Sequence, residues 1–413
     1  MNAPRPNRLA IVLSGGGARG AYEVGVLSHI FDELRASLRR PIAIDVICGT
    51  SVGAINSAAL AASMSEQQQG VRNLVSVWQN LELDSVLRFG VRQIPSLLQM
   101  FGKGGRAGLV DAAPMAELIR KQIPWAAITR ALRRRYLRAL SITCTEVGTG
   151  RAVLFMQTGP GTGLPAHSPP RTLLRSSPIA PQHVLASASI PLIFPPVRIG
   201  SELYVDGGLR HNTPVAPALR LGATHVLVVG TSQLIQGVAE TRIDRLSAAS
   251  VAGKVMNALM LDHLDNDLHQ VAIFNELVDT GSEAFGPKYA ERMRRAAALR
   301  GGRMFERVEM MVIRPSVSLG ALGAEYLAQR RTGAGSPALS RLLRWLDAGP
   351  EADLASYLLF EGAFAKNLIE LGRSDARAQR ERILDFLAQA NAPDPGADGS
   401  PEPTVSFQPP AVG

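Results

Sequence analysis

The chain opens on a short apolar run, Leu9–Leu13, that stops at Ser14-Gly-Gly-Gly. A run of this length broken by glycines reads as a buried first strand, not as the longer core of a secretion signal. Residues 20–38 then carry Val24, Leu27, Ile30, Phe31 and Leu34 at helical spacing. A second buried run, Ile42–Cys48, ends in Gly49-Thr-Ser-Val-Gly53, and an Ala-rich helical pattern covers about 53–64. Leu137–Cys144, Ala152–Met156 and His225–Val229 are further strand candidates. Strands alternating with helices predict a mostly parallel sheet covered on both faces, a three-layer α/β/α sandwich.

Residues 85–108 interrupt this pattern by mixing Val86, Leu87, Phe89 and Leu97 with Arg88, Arg92, Lys103 and Arg106. A membrane-touching lid and an internal helix pair fit them equally. Residues 158–181, rich in Gly, Pro and Ser, read as a loop. From about 236 to 390 the pattern is helical, and the tail beyond it is Pro-rich and without apolar periodicity, hence expected to be disordered. The expected division is an α/β unit over 8–235, a helical C-terminal extension packed on it over 236–390, and a tail over 391–413. No apolar stretch is long enough to predict a spanning helix.

Composition narrows the classes. With 46% hydrophobic and 19% charged residues, wholesale disorder is excluded. Two cysteines, Cys48 and Cys144, exclude a disulfide scaffold and a Cys-rich zinc site, and a reducing, cytoplasmic setting is expected. The net charge of +9 is unevenly spread: 24 basic against 12 acidic residues up to 235, and 20 against 23 thereafter. A basic first part suits peripheral contact with an anionic membrane. Arg120–Arg138 holds seven basic residues and no acid, including Arg133-Arg-Arg135. Its default reading is a solvated helix face, and no nucleic acid is expected because no recognised binding module accompanies it.

Candidate chemistry lies in the glycine-rich turns. Gly49-Thr50-Ser51-Val52-Gly53 matches G-x-S-x-G, with a strand leading in and a helix leading out, the setting of a nucleophile elbow. A plain turn with a capping serine is the alternative. Gly15-Gly16-Gly17-Ala-Arg19-Gly20 satisfies G-x-G-x-x-G after a strand, yet the following strand carries Asp45 toward its start, and a dinucleotide site wants the acid at its end. Ala21 stands where a phosphate-binding loop needs lysine. Unshielded glycine N–H groups would instead serve as an oxyanion hole beside Ser51. Histidine bases for a triad include His183, His211, His225, His263 and His269, none in a distinctive setting. Asp206, followed by Gly207 and Gly208, is a carboxylate placed just after an apolar segment.

Taken together, these residues resemble the bacterial patatin-like phospholipases. The likeness rests on Ser14–Gly20, Gly49–Gly53 and Asp206–Gly208, with Ala186-Ser-Ala-Ser-Ile-Pro191, Asn212-Thr-Pro-Val215 and Thr143–Gly150 between and around them, over roughly 8–235. The resemblance implies a lipid acyl hydrolase with a Ser51–Asp206 dyad. Its oxyanion hole would be Gly15, Gly16 and Gly17, with Arg19, Gly49, Gly53, Gly207 and Gly208 in support. It implies no metal or other cofactor and a phospholipid or other fatty-acyl ester as substrate. Ala188–Val197, apolar and near Asp206, fits a wall of the acyl pocket and fits plain buried packing at least as well. A non-catalytic lipid-binding protein and, more remotely, a dinucleotide-binding protein are the alternatives.

Overall fold

A computed structural model describes residues 7–38, 41–87, 110–165, 168, 170–191, 193–233, 264–299, 306–331 and 353–392. Within them one sheet is built from β1 (Leu9–Leu13), β2 (Val46–Thr50), β3 (Ala139–Glu146), β4 (Ala152–Thr158), β5 (Thr172–Ser176), β6 (Val197–Ile199), β7 (Glu202–Asp206), β8 (His225–Val229) and β9 (Glu309–Ile313). Its main path runs β5-β4-β3-β2-β1-β8-β9, and the five strands from β3 to β9 are parallel. β4 and β5 run the opposite way, and the β6–β7 hairpin joins through β3.

The central strands are apolar throughout because both faces are covered. Side chains alternate across a strand, so Leu9, Ile11 and Leu13 enter one apolar cluster and Ala10 and Val12 the other. Helices α1 (Gly20–Ser28), α2 (Val52–Ala62) and α3 (Gln67–Gln79) contribute to the first cluster. The helix Val215–Arg220 and the start of Leu264–Phe285 contribute to the second. The expected α/β/α sandwich is therefore present.

Three local readings differ. β2 starts at Val46 and not at Ile42; Ile42 and Ile44 are buried in the core but have no strand partner. β5 lies inside the stretch expected to be loop, where Thr172-Leu-Leu is long enough to add an edge to β4. β9 lies inside the stretch expected to be helical: Glu309-Met-Met-Val-Ile313 is a short apolar run that pairs with β8 along its whole length. Most of residues 85–108, for which a lid and an internal helix pair fit equally, and nearly all of the Pro-rich tail lie outside the described residues.

The C-terminal helix Gly362–Ala378 shares its core with the sheet. Phe364, Leu368 and Ile369 belong to the same apolar cluster as Leu9 and Ile11. Its crossing with α1 is close because two glycines face backbone: a Cβ on Gly25 would lie 2.1 Å from the Ile369 carbonyl, and one on Gly372 2.2 Å from the Tyr22 carbonyl. The Tyr22 hydroxyl donates to Asp375 Oδ2 at 3.1 Å. Burial first, and the Asp375 charge second, push the Tyr22 phenol far above its ordinary range, so it remains a donor.

Because Leu368 is fully buried in that shared core, Leu368→Ala should cost about 2–5 kcal/mol. Urea denaturation should show the main unfolding transition moving to lower urea. An unmoved main transition would mean that this helix is an annex independent of the sheet.

Candidate active site

Ser51 follows β2 and occupies the N-cap position of α2 without a side-chain cap hydrogen bond. Its backbone, at φ 55° and ψ −127°, lies where side-chain-bearing residues rarely sit, a conformation that costs about 1–3 kcal/mol and must be held by its surroundings. Three contacts hold it. Its N–H donates to Ser187 Oγ at 2.9 Å, and the Ser187 hydroxyl donates to the Thr143 carbonyl at 2.6 Å. Its own carbonyl accepts the Ala54 N–H at 2.9 Å, starting α2. Gly53 lets the first turn of α2 lie on β1, since a Cβ there would be 2.4 Å from the Leu13 carbonyl, and Gly49 in turn packs against the Gly53 carbonyl.

β3 brings the partner. Along one edge of β3, β2 pairs in parallel as far as Thr50 opposite Thr143. From Cys144 onward the partner is β7, antiparallel, with Asp206 opposite Cys144. Two strands thus meet end to end on a third, and the last residues of each face one another. The Ser51 hydroxyl donates to Asp206 Oδ2 at 2.6 Å. Gly207 is required at this junction, because a Cβ would lie 2.2 Å from the Thr143 carbonyl. The Gly208 N–H donates to Asp206 Oδ1 at 2.7 Å, so both carboxylate oxygens are engaged.

Asp206 is fully buried, and burial pushes its pKa up to about 7, against the smaller lowering by the Ser51 and Gly208 hydrogen bonds. A carboxyl tuned to neutrality is a far better proton acceptor than an ordinary aspartate. Neither Ser51 nor Asp206 hydrogen-bonds a histidine among the described residues. His211 donates its backbone N–H to the Gly207 carbonyl, His183 caps the helix Pro181–Ser187 and packs at a tilt against Phe155, and His225 packs on Phe386.

The Gly15–Gly17 loop lies beside the serine: a Cβ on Gly15 would be 3.1 Å from Ser51 Cβ. Its anchors come from across the sheet. Gly15 donates its N–H to the Asn212 carbonyl at 3.0 Å and accepts from the Thr231 hydroxyl at 2.5 Å, while the Ser14 and Thr213 hydroxyls are 2.6 Å apart. A Cβ on Gly16 would strike Thr231. Gly17, at φ 56°, lies against the Tyr357 carbonyl. Arg19 is buried; its Nε donates to Ser356 Oγ at 2.8 Å, and its guanidinium stands 3.9 Å from the centre of the Tyr357 ring. The C-terminal part of the chain therefore braces this loop. Asp45, the residue weighed for a dinucleotide site, sits at the other end of β2 and accepts the Leu9 N–H at 3.1 Å.

Two groups of residues escape the sequence reading. Ser187, Asn212 and Thr231 hold the site through hydrogen bonds to backbone, for which their neighbourhoods give no signal apart from the family likeness. Beneath α2, Glu23 accepts from Asn56 at 2.8 Å and Asn56 accepts from Trp78 at 3.1 Å, a buried chain in which burial holds the Glu23 carboxyl well above its usual range. Within Ala188–Val197, the buried-packing reading holds for Ile190, Ile193 and Phe194, which are core residues. An apolar cavity of about 390 Å³ instead runs along α2, lined by Val52, Ile55, Ala59, Leu74, Met115 and Phe360. Among the described residues there is no group of three or more His, Cys, Asp or Glu fit to hold a metal, and no helix long and apolar enough to cross a membrane.

The shifted Asp206 has a stability consequence. Its folded pKa is about 7 against 3.8 unperturbed, so the folded state holds the proton more tightly and stability falls as pH rises from about 4 to about 7. Asp206→Asn removes that loss. The melting temperature of the variant minus that of wild type should grow across this window and stay large above it; a difference independent of pH would contradict the shift.

The family model for patatin-like phospholipases matches residues 11–219. The chain is 30% identical over 211 residues to a cGAMP-activated phospholipase of Pseudomonas aeruginosa, covering 51% of this chain and 55% of that one. It is 26% identical over 226 residues to patatin-like phospholipase domain-containing protein 7 of Rattus norvegicus, covering 54% and 13%. The chain thus spans about half, or much less, of the length of these curated relatives. Similar solved structures include human GIVD cytosolic phospholipase A2 in complex with methyl gamma-linolenyl fluorophosphonate, at 12% identity and TM-score 0.40, covering 93% of this chain and 59% of that one. The heterodimeric ExoU–SpcU complex of Pseudomonas aeruginosa gives 16% identity and TM-score 0.25, covering 94% and 78%. With its family match spanning half the chain, the protein belongs to the patatin-like phospholipase family.

Proposed function

We propose that this protein is a serine hydrolase of phospholipid and related fatty-acyl esters, working through a Ser51–Asp206 dyad. The observation that carries the reading is the 2.6 Å hydrogen bond from a strained elbow serine to a buried carboxylate. As Ser51 Oγ attacks the ester carbonyl, its proton passes to Asp206 Oδ2. The tetrahedral intermediate then collapses to an acyl-enzyme, and the proton leaves with the alcohol. Asp206 next takes a proton from water, the hydroxide attacks the acyl carbon, and Ser51 regains its proton. A base with a pKa near 7 is matched to this exchange in neutral solution.

The oxyanion donors in this reading are the Gly16 and Gly17 N–H groups, because that of Gly15 is already given to Asn212. Arg19 supports them from behind through its hold on Ser356 and Tyr357. The fatty-acyl chain occupies the α2 cavity. Val52, Ile55, Ala59 and Ser63 line one face of a helix that starts at the nucleophile. That face spans about 16 Å, close to half of the ~30 Å hydrocarbon thickness of a bilayer, the length of one acyl chain. The basic charge of residues up to 235 brings the protein to anionic lipid.

Ser51→Ala and Asp206→Asn should each lower fatty-acid release from phosphatidylglycerol vesicles by a factor of at least about 10³. Replacing His211 by alanine should leave the rate within a few-fold of wild type. Activity persisting in either dyad variant, or a His211 loss as deep as that of Ser51→Ala, would overturn the dyad. Ala59→Trp, which fills the cavity midway, should shift the preference among nitrophenyl esters from long to short acyl chains; an unchanged chain-length profile would remove the cavity from the reaction.

A further inference from the structure

The end of the sheet away from Ser51 carries a larger cavity, of about 1350 Å³. It is bordered by Ile42–Asp45 before β2, by Leu137 and Arg138 before β3, and by Gly159–Thr162 after β4. α2, with Ser51 at its N-cap position, delivers Met64 and the residues after it to this cavity at its other end, about 16 Å away.

Four arginines line it, Arg35, Arg134, Arg135 and Arg138, against the carboxylates of Asp45 and Glu66. Asp45 is occupied by the Leu9 N–H. Arg35, Arg134 and Arg135 have no carboxylate partner among the described residues, so their guanidinium groups are available to a ligand. The backbone is arranged around these cations. The helix Trp125–Arg133 closes with the Arg135 N–H donated to the Leu132 carbonyl at 3.1 Å and the Tyr136 N–H to the Ala131 carbonyl at 2.9 Å. Such a closure needs a left-handed residue, usually glycine; here it is Arg135, at φ 60°. The strain presents Arg134, Arg135 and Tyr136 in succession at the cavity rim, with the Tyr136 ring 46% exposed.

We propose that this cleft binds a soluble phosphorylated ligand of the nucleotide class. Guanidinium forks take the phosphate oxygens, and the Tyr136 ring offers a stacking face for a base. The cleft is half open to solvent and has room for a nucleotide. A lipid phosphate offers the same anionic chemistry, but a membrane seated here would meet the end of the sheet opposite the nucleophile. The inference stands apart from the acyl-hydrolase reading.

The test is calorimetric titration of the full-length Ser51→Ala protein with ATP, GTP, a cyclic purine dinucleotide and inorganic pyrophosphate, with anionic phosphatidylglycerol vesicles as a separate arm. At least one nucleotide should bind. Arg134→Glu combined with Arg135→Glu should weaken it at least about tenfold without lowering the melting temperature, both side chains being exposed. Tyr136→Ala should weaken nucleotide and leave pyrophosphate unchanged. Absence of binding by every soluble probe at about 1 mM, binding indifferent to the arginine reversal, or arginine-dependent binding to vesicles alone would each overturn the proposal.

Discussion

The structure depends on one meeting of strands. β2 and β7 arrive from opposite directions and end against each other along a single edge of β3, so that Thr50 and Asp206 stand opposite the consecutive residues Thr143 and Cys144. Neither strand alone would bring a serine and a carboxylate within hydrogen-bonding distance, since 155 residues separate them in the chain. Thr143 is the hub: its carbonyl accepts the Ser187 hydroxyl that fixes the Ser51 amide, and it lies where Gly207 would otherwise carry a Cβ. Moving β3 by one residue would undo all of these contacts together.

The same junction explains the electrostatics. An aspartate at the end of a buried strand, roofed by apolar elements, loses water on every side and receives only a serine hydroxyl and one amide in return. The carboxyl accordingly rises to about 7. A carboxyl held this way destabilises the folded state when it is charged. The surrounding core supplies the tolerance for it. Both sheet faces are covered, and the C-terminal segment reaches back over the glycine loop, with Arg19 locked between Ser356 and the Tyr357 ring.

Much of this was legible in the chain. β1 and β8 are apolar runs bounded by turns, and their expected limits coincide with those found. Ser51 and Asp206 stand out because glycines flank them where a strand ends, and backbone can approach only there. What was not legible is long-range. The pattern shows no sign that β9 joins the sheet 80 residues after β8, because four apolar residues in a helix-rich stretch carry little periodicity. The apolar Ala188–Val197 stretch looks alike whether it lines a pocket or fills the core; Ala188, Ile190, Ile193 and Phe194 fill the core. The sequence offers the N–H groups of Gly15, Gly16 and Gly17 alike, yet the Gly15 amide is spent on Asn212, a pairing set by tertiary packing alone.

The most direct test of the dyad is the rate and position of covalent capture by a fluorophosphonate probe, followed by peptide mapping. The adduct should lie on Ser51, and Asp206→Asn should slow its formation by about 10²–10⁴, the range a positioned general base contributes. Capture at another serine, or at the wild-type rate in Asp206→Asn, would contradict it.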